Sequence, residues 1–292
     1  MLKKEKIIYG ICITTMKDYA SIGMALLMAL SMLIAAFIAE PFKKQGMQAF
    51  ENPNDVMNVV QIFVIMLVFT VFILFIAKYK KDVMKYLILF IFFLTAISIF
   101  NAFLYFIPYS FFISLAISLI MLILFIKHPE WYVIDTFGIF LAGGIAAIFA
   151  ISLSIWLIIL LLVILAAYDA LSVYKTKHMI SLAKSVTSSN LPLLMIFPKS
   201  RNFSYLEKQD IESEEKDAIY MGLGDAIIPA ILVAYAYMQS WIAFILTFIG
   251  TFAGYAILMH LIKKGPQPGL PYLNAGAIAG YAIYLIYPHF LQ

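Results

Sequence analysis

Apolar runs of about 18 residues or more recur along this chain, and the short segments between them hold nearly all of its lysines and arginines. Runs of that length are read as helical membrane spans, because a helix is the one open element that satisfies its own backbone in lipid. The pattern predicts an all-α membrane protein with nine transmembrane helices, at about residues 19–39, 57–77, 83–106, 109–126, 133–150, 154–174, 218–238, 241–262 and 270–290. From Val133 to Tyr174 run 42 residues whose only charged side chains are Asp135 and Asp169. A single helix of that length would be ~63 Å long, twice the hydrocarbon thickness. The segment therefore folds back, near Ser152 and Ser154.

The spans group as 1–174 (spans 1–6), a polar loop 175–217, and 218–292 (spans 7–9), within a single membrane domain. The loop carries KSVTSSN, a short apolar LPLLMIFP, and the charge-mixed RNFSYLEKQDIESEEKD. LPLLMIFP is too short to span and is bounded by Pro192 and Pro198, so an extended strand or a re-entrant contact suits it better than a helix. A plain loop on the membrane surface is the alternative. No internal repeat of the kind built into transporters is evident.

Composition agrees: 64% of residues are hydrophobic and 12% charged, which excludes a soluble globular enzyme. Charge sets the orientation. On the nine-span reading, 18 of the 20 lysines and arginines fall on the side of the N-terminus and only Lys43 and Lys44 on the other. Positive residues mark the cytoplasmic side, so the N-terminus is expected inside and the C-terminus outside. The net charge of +4 is then a topology signal rather than a mark of nucleic-acid binding. MLKKEKIIYG resembles the start of a signal peptide, but no small-residue cleavage site follows, and an uncleaved chain is expected. The single cysteine, Cys12, excludes an intramolecular disulfide, and the scattered His128, His178, His260 and His289 suggest no metal site. No metal or cofactor is expected.

Among ionisable residues in the spans, Glu40, Asp135 and His260 fall near ends, within reach of headgroups, and His289 lies at the C-terminus. Asp169 and Asp225 remain. Their depths from the cytoplasmic end are matched, at ~7 and ~10 Å, and spans 6 and 7 are consecutive and antiparallel, so the two carboxylates can meet. Two carboxylates sharing a site cannot both ionise, so an acid and a base stand side by side. Peptide hydrolysis needs that pairing, with one Asp activating water and the other protonating the carbonyl. A shared proton also makes two acids tolerable in lipid. The alternatives are a hydrogen bond that merely pins two helices, and a proton or cation pathway.

Gly222 and Gly224 flank Asp225 and let another backbone approach closely, while Pro229 frees a carbonyl one turn back. Tyr168 beside Asp169 is either a packing aromatic or a hydrogen-bond donor. Before span 9, KKGPQPGLPYLNAGAIAG holds Pro266, Pro268 and Pro271 with Gly265 and Gly269, which prevents helix until about Tyr272. Irregular backbone at such depth is tolerated where it lines a wet cavity. A stiff loop followed by a Gly276-x-x-x-Gly280 packing face is the plainer alternative.

Taken together, Tyr168-Asp169 in span 6, Gly222-Leu223-Gly224-Asp225 in span 7 and Gln267-Pro268-Gly269-Leu270 before span 9 resemble the GxGD-type intramembrane aspartyl proteases, the presenilin and signal peptide peptidase family. The nine-span layout agrees with a presenilin-like fold. The resemblance implies that Asp169 and Asp225 are catalytic, and that Tyr168, Gly222, Leu223, Gly224, Pro268, Gly269 and Leu270 bind substrate or shape the site. It also implies that LPLLMIFP forms a strand beside an unwound substrate. The family's third motif is Pro-Ala-Leu, whereas this chain has Gly269. Pro229 and Gln267 look more like signal peptide peptidases, the cytoplasmic N-terminus more like presenilins, and the subfamily stays open. The expected partners are transmembrane peptide substrates and the bilayer, with no nucleic acid and a homo-oligomer allowed. The plasma membrane is the expected location in a microbe. A membrane enzyme like the prepilin peptidases also uses Gly-x-Gly-Asp, but the proline-rich segment and the nine-span layout argue against it.

Overall fold

The computed structural model describes residues 2–79, 81–176, 194–200, 203, 218–262, 265 and 267–290. These residues form nine α-helices: α1 (Leu2–Lys44), α2 (Met57–Tyr79), α3 (Lys81–Phe103), α4 (Ser110–Lys127), α5 (Trp131–Ser152), α6 (Ile155–Leu171), α7 (Leu223–Gln239), α8 (Trp241–Ile262) and α9 (Leu270–Phe290). A π-helical turn, Ser172–Thr176, extends α6. Most of the 175–217 loop, including KSVTSSN and nearly all of the charge-mixed stretch, lies outside the described residues, as does Pro266.

Among the described residues, five stretches are long and apolar enough to cross a membrane: Tyr19–Lys44, Ser110–Lys127, Trp131–Ser152, Ile155–Tyr174 and Trp241–Ile262. Shorter apolar helices are Met57–Met66, Leu89–Phe103, Leu223–Gln239 and Leu270–Ile286. The chain is an integral membrane protein, and its large exposed apolar side chains, such as Phe112, Trp156 and Ile249, form the surface that lipid covers.

The expected fold-back is present: α5 ends at Ser152 and α6 starts at Ile155. The loop after α1 fastens it. Ala49 N–H donates to Ser152 Oγ at 2.8 Å, and Ser154 N–H donates to the Pro53 carbonyl at 2.9 Å. Two expectations change. Residues 218–222 are not the start of a helix but a strand, so α7 begins at Leu223. In addition, α1 runs on from Leu2, well before the expected span.

The helical frame thus carries one two-stranded antiparallel sheet, β1 (Leu194–Pro198) with β2 (Ala218–Gly222), in register Leu194↔Gly222, Ile196↔Tyr220 and Pro198↔Ala218. The apolar half of the loop therefore takes the extended form expected of it, at least over 194–198.

The core centres on α7, which packs against α1, α5, α6, α8 and α9. Its buried face is rich in small residues, Ala226, Ala230, Ala234 and Ala236, and small residues let helix backbones approach in lipid, where burial of apolar surface drives nothing. The same device joins α8 to α9: a Cβ on Gly276 would stand 3.0 Å from the Gly254 amide, and one on Gly250 3.0 Å from Gly280 Cα. The Gly276-x-x-x-Gly280 stripe is a packing face, as its plainer reading has it.

Candidate active site

Three chain segments meet at the two carboxylates. Asp169 lies on the inner face of α6, in line with Leu165 and Leu162 one and two turns earlier, and is 5% exposed. Asp225 is the third residue of α7 and half-buried. The third segment is the extended stretch 267–269, which leads into α9.

Prolines and glycine keep that stretch out of helix, so its backbone amides are available to a side chain. The Leu270 N–H donates to Asp169 Oδ2 at 3.0 Å, and the Gly269 amide faces the same carboxylate. Gly269 also lies against the other acid: a Cβ there would stand 3.1 Å from Asp225 Oδ2 and 3.2 Å from its Cγ. Two adjacent residues thus touch both carboxylates, which lie within electrostatic reach of one another. Helix starts two residues earlier than expected, at Leu270, which brings its N–H onto Asp169.

Gln267 anchors the segment from the other end. Its Oε1 accepts from Tyr174 Oη at 2.9 Å, in the π-turn after α6, and from Tyr272 Oη at 3.3 Å, in α9. Deeper in, Asn274 Nδ2 donates to the Leu162 carbonyl at 2.8 Å and ties α9 to α6. A groove of about 530 Å³ opens between these helices, lined by small residues including Ala166, Ala170 and Ala275.

The other expected residues divide. Gly222 closes β2 and caps α7 with extended backbone, and a Cβ there would stand 3.5 Å from Asp225 Oδ2. Leu223, Pro268 and Leu270 are buried next to the acids. Gly224 is exposed, with nothing within 4 Å of a Cβ. Tyr168 is 55% exposed and turned ~100° around α6 from Asp169.

One acid lies elsewhere than its position near a helix end predicts. Glu40 and His260 are exposed, as expected, but Asp135 is 2% exposed and does not reach a headgroup. Its Oδ1 accepts the Ile196 N–H of β1 at 2.8 Å. The available signal was helical spacing: Asp135 shares a face of α5 with Gly138, three residues on, where a Cβ would stand 3.2 Å from Leu223.

The sequence profile described as signal-peptide peptidase, presenilin aspartyl protease matches residues 24–289 of this chain. Two solved structures are similar. A presenilin family intramembrane aspartate protease in space group C222 shares 30% identity at a TM-score of 0.71, with 91% of this chain and 99% of that one covered. One in space group P2 shares 31% identity at a TM-score of 0.71, over 91% and 97% of the two chains. No curated protein matches.

Proposed function

Given that the chain belongs to the signal-peptide peptidase and presenilin family of aspartyl proteases, and so is a peptide hydrolase, we propose that Asp169 and Asp225 are its catalytic pair. It cleaves peptide bonds within or near the transmembrane helices of its substrates. One observation carries the assignment: Gly269 and Leu270 touch both carboxylates at once, and such an arrangement holds two acids at one point.

The chemistry follows from the pair. The ionised carboxylate removes a proton from water as the water oxygen attacks the scissile carbonyl carbon. The protonated carboxyl gives its proton to the carbonyl oxygen. The tetrahedral species collapses as a proton passes to nitrogen and the C–N bond breaks, which leaves a new carboxyl terminus and a new amine. Pro268, Gly269 and Leu270 keep the acids in position, and Gly222 leaves room beside Asp225.

A helical substrate shields its amides, so it must be extended before it is cut. The sheet offers a way to hold it so, by adding a strand to an edge. In an antiparallel ladder a residue's N–H and C=O point to the same side. Ile196 turns its N–H to Asp135, which occupies the outer edge of β1 at that residue; β2 runs directly into the Asp225 helix, so addition to β2 would carry the strand to that acid. Nine spans with a cytoplasmic N-terminus complete the reading, supported by the lysine and arginine asymmetry.

The test uses detergent-purified protein and a fluorescently labelled single-span peptide. Asp169→Ala and Asp225→Ala should each lower cleavage by on the order of 10³-fold or more while the fold persists, and a hydroxyl-bearing transition-state mimic should bind more tightly than the peptide. Cleavage that survives both substitutions ends the assignment, and ion flux lost in both without any cleavage would favour a conducting role.

A further inference from the structure

We propose that Asp135 is a positioning residue that fixes the height of the β1–β2 sheet on α5 and thereby selects which substrate bond meets the two acids. The inference rests on the protease reading above.

A carboxyl buried in apolar surroundings is costly unless it has partners. Asp135 is 2% exposed, its bonded strand residue Ile196 belongs to a buried apolar cluster with Leu89, Phe125, Ile134 and Ala218, and among the described residues its Oδ2 has no hydrogen-bond partner. At the start of α5 the Val133 and Ile134 amides donate to the Glu130 carbonyl, and among the described residues no amide of α5 donates to Asp135. Among the described residues its one hydrogen bond goes out of the helix to a strand amide, 61 residues away in sequence. A residue retained at that cost for one backbone contact acts on that backbone.

The contact sits where small displacements would be transmitted. β1 is held from a second direction by Phe197, whose ring occupies the notch left by Gly23 on α1, with Tyr19 edge-on at 5.7 Å and Trp131 tilted at 6.0 Å. Phe197 fixes the strand laterally. The Asp135 bond to the neighbouring residue fixes it along its length. Ile196 pairs with Tyr220 on β2, and β2 passes into α7, with Asp225 three residues after Gly222. On the same face of α5, Gly138 receives Leu223, at the start of that helix. One helix thus sets both β1, the partner of the strand that would hold substrate, and the helix that carries an acid. Strand pairing slips in steps, and a slip brings a different bond to the acids.

Three variants of the full chain, purified in detergent, separate positioning from bulk stability: Asp135→Asn, Asp135→Leu, and Asp135→Leu with Ile196→Pro. Asn keeps a carbonyl to accept the Ile196 N–H. Leu removes the acceptor and leaves a buried donor unmet. The double variant removes donor and acceptor together, so stability should largely return, and proline is tolerated where a strand amide faces away from its partner strand. Product masses from the labelled single-span peptide, kcat/KM, thermal midpoint and binding of the transition-state mimic are read for each. Asn should cleave the wild-type bond within about threefold of the wild-type rate. Both Leu variants should lose on the order of tenfold to a hundredfold in kcat/KM and spread their products over neighbouring bonds, with mimic binding within about threefold of wild type. Three outcomes overturn the inference: a folded Leu variant that cuts the same bond at the wild-type rate, an Asn variant as impaired as Leu, or loss of mimic binding and thermal midpoint in step with activity in both Leu variants. Failure of the protease reading is distinct, because wild type would then cleave nothing, or Asp169→Ala would cleave as well as wild type.

Discussion

Replacing Gly269 by Ala and by Val probes how tightly the Pro268-Gly269-Leu270 segment holds the acids. An Ala Cβ would stand 3.1 Å from Asp225 Oδ2, 3.2 Å from Cγ and 3.5 Å from Oδ1, so the carboxylate must give by a few tenths of an ångström. Asp225 is half-buried and sits at the end of its own side chain, and a shift that small needs a rotation of roughly 10°, well inside the ~30° that costs about 0.5–1.5 kcal/mol. Gly269 does not have positive φ, so Ala also narrows the unfolded ensemble, worth about 0.4–1 kcal/mol in favour of the fold. The two effects nearly cancel in stability. The Gly269→Ala midpoint should therefore match or slightly exceed wild type, and kcat/KM should fall no more than about tenfold. A Val side chain adds two further carbons at the same point, and overpacking of that kind costs about 1–3 kcal/mol or more. With the strain borne by the acid itself, Gly269→Val should lose on the order of 10²-fold in cleavage. Single-turnover cleavage of the labelled peptide, read beside the thermal midpoint, measures both. A Val variant at the wild-type rate, or a folded Ala variant as inactive as Val, would refute the close approach of Gly269 to Asp225.

Two further predictions follow from close packing. Gly276→Leu drives a side chain into the Gly250 and Gly254 backbone of α8, where no flexible group can yield, and should lower the thermal midpoint by several degrees for the ~1–3 kcal/mol of overpacking, whereas Ala279→Leu on the exposed face of α9 should change it little. Gly23→Ala places a methyl inside the space of the Phe197 ring and should impair cleavage more than stability. Adding Phe197→Leu should recover part of that loss, and a double variant no better than the single would show that Gly23 does not seat the strand.

Chemistry visible along the chain was carried by residue type and spacing. Long apolar runs imply helix in lipid wherever they occur, and acids that deep are few, so Asp169, Asp225 and the proline-interrupted segment before the last helix stood out without coordinates. The 133–174 fold-back was equally plain, since no straight helix of that length fits a bilayer. Strand β2 was not legible: Ala218–Gly222 is apolar and continuous with a helical run, and only pairing with β1, whose five residues lie about 20 positions earlier, makes it extended. Propensity in a run that short yields to its partner.

What the linear pattern determined is therefore the class of protein and which acids lie deep in its apolar runs, because insertion into lipid and the cost of burying charge act on each segment by itself. What only the tertiary structure decided is which backbone meets which side chain. Gly269 and Leu270 reach across about 100 residues of chain to Asp169, and Asp135, near a helix end in sequence, turns inward to a strand amide. Those contacts depend on helix rotation and on small residues that let backbones approach, and neither is written in any one segment.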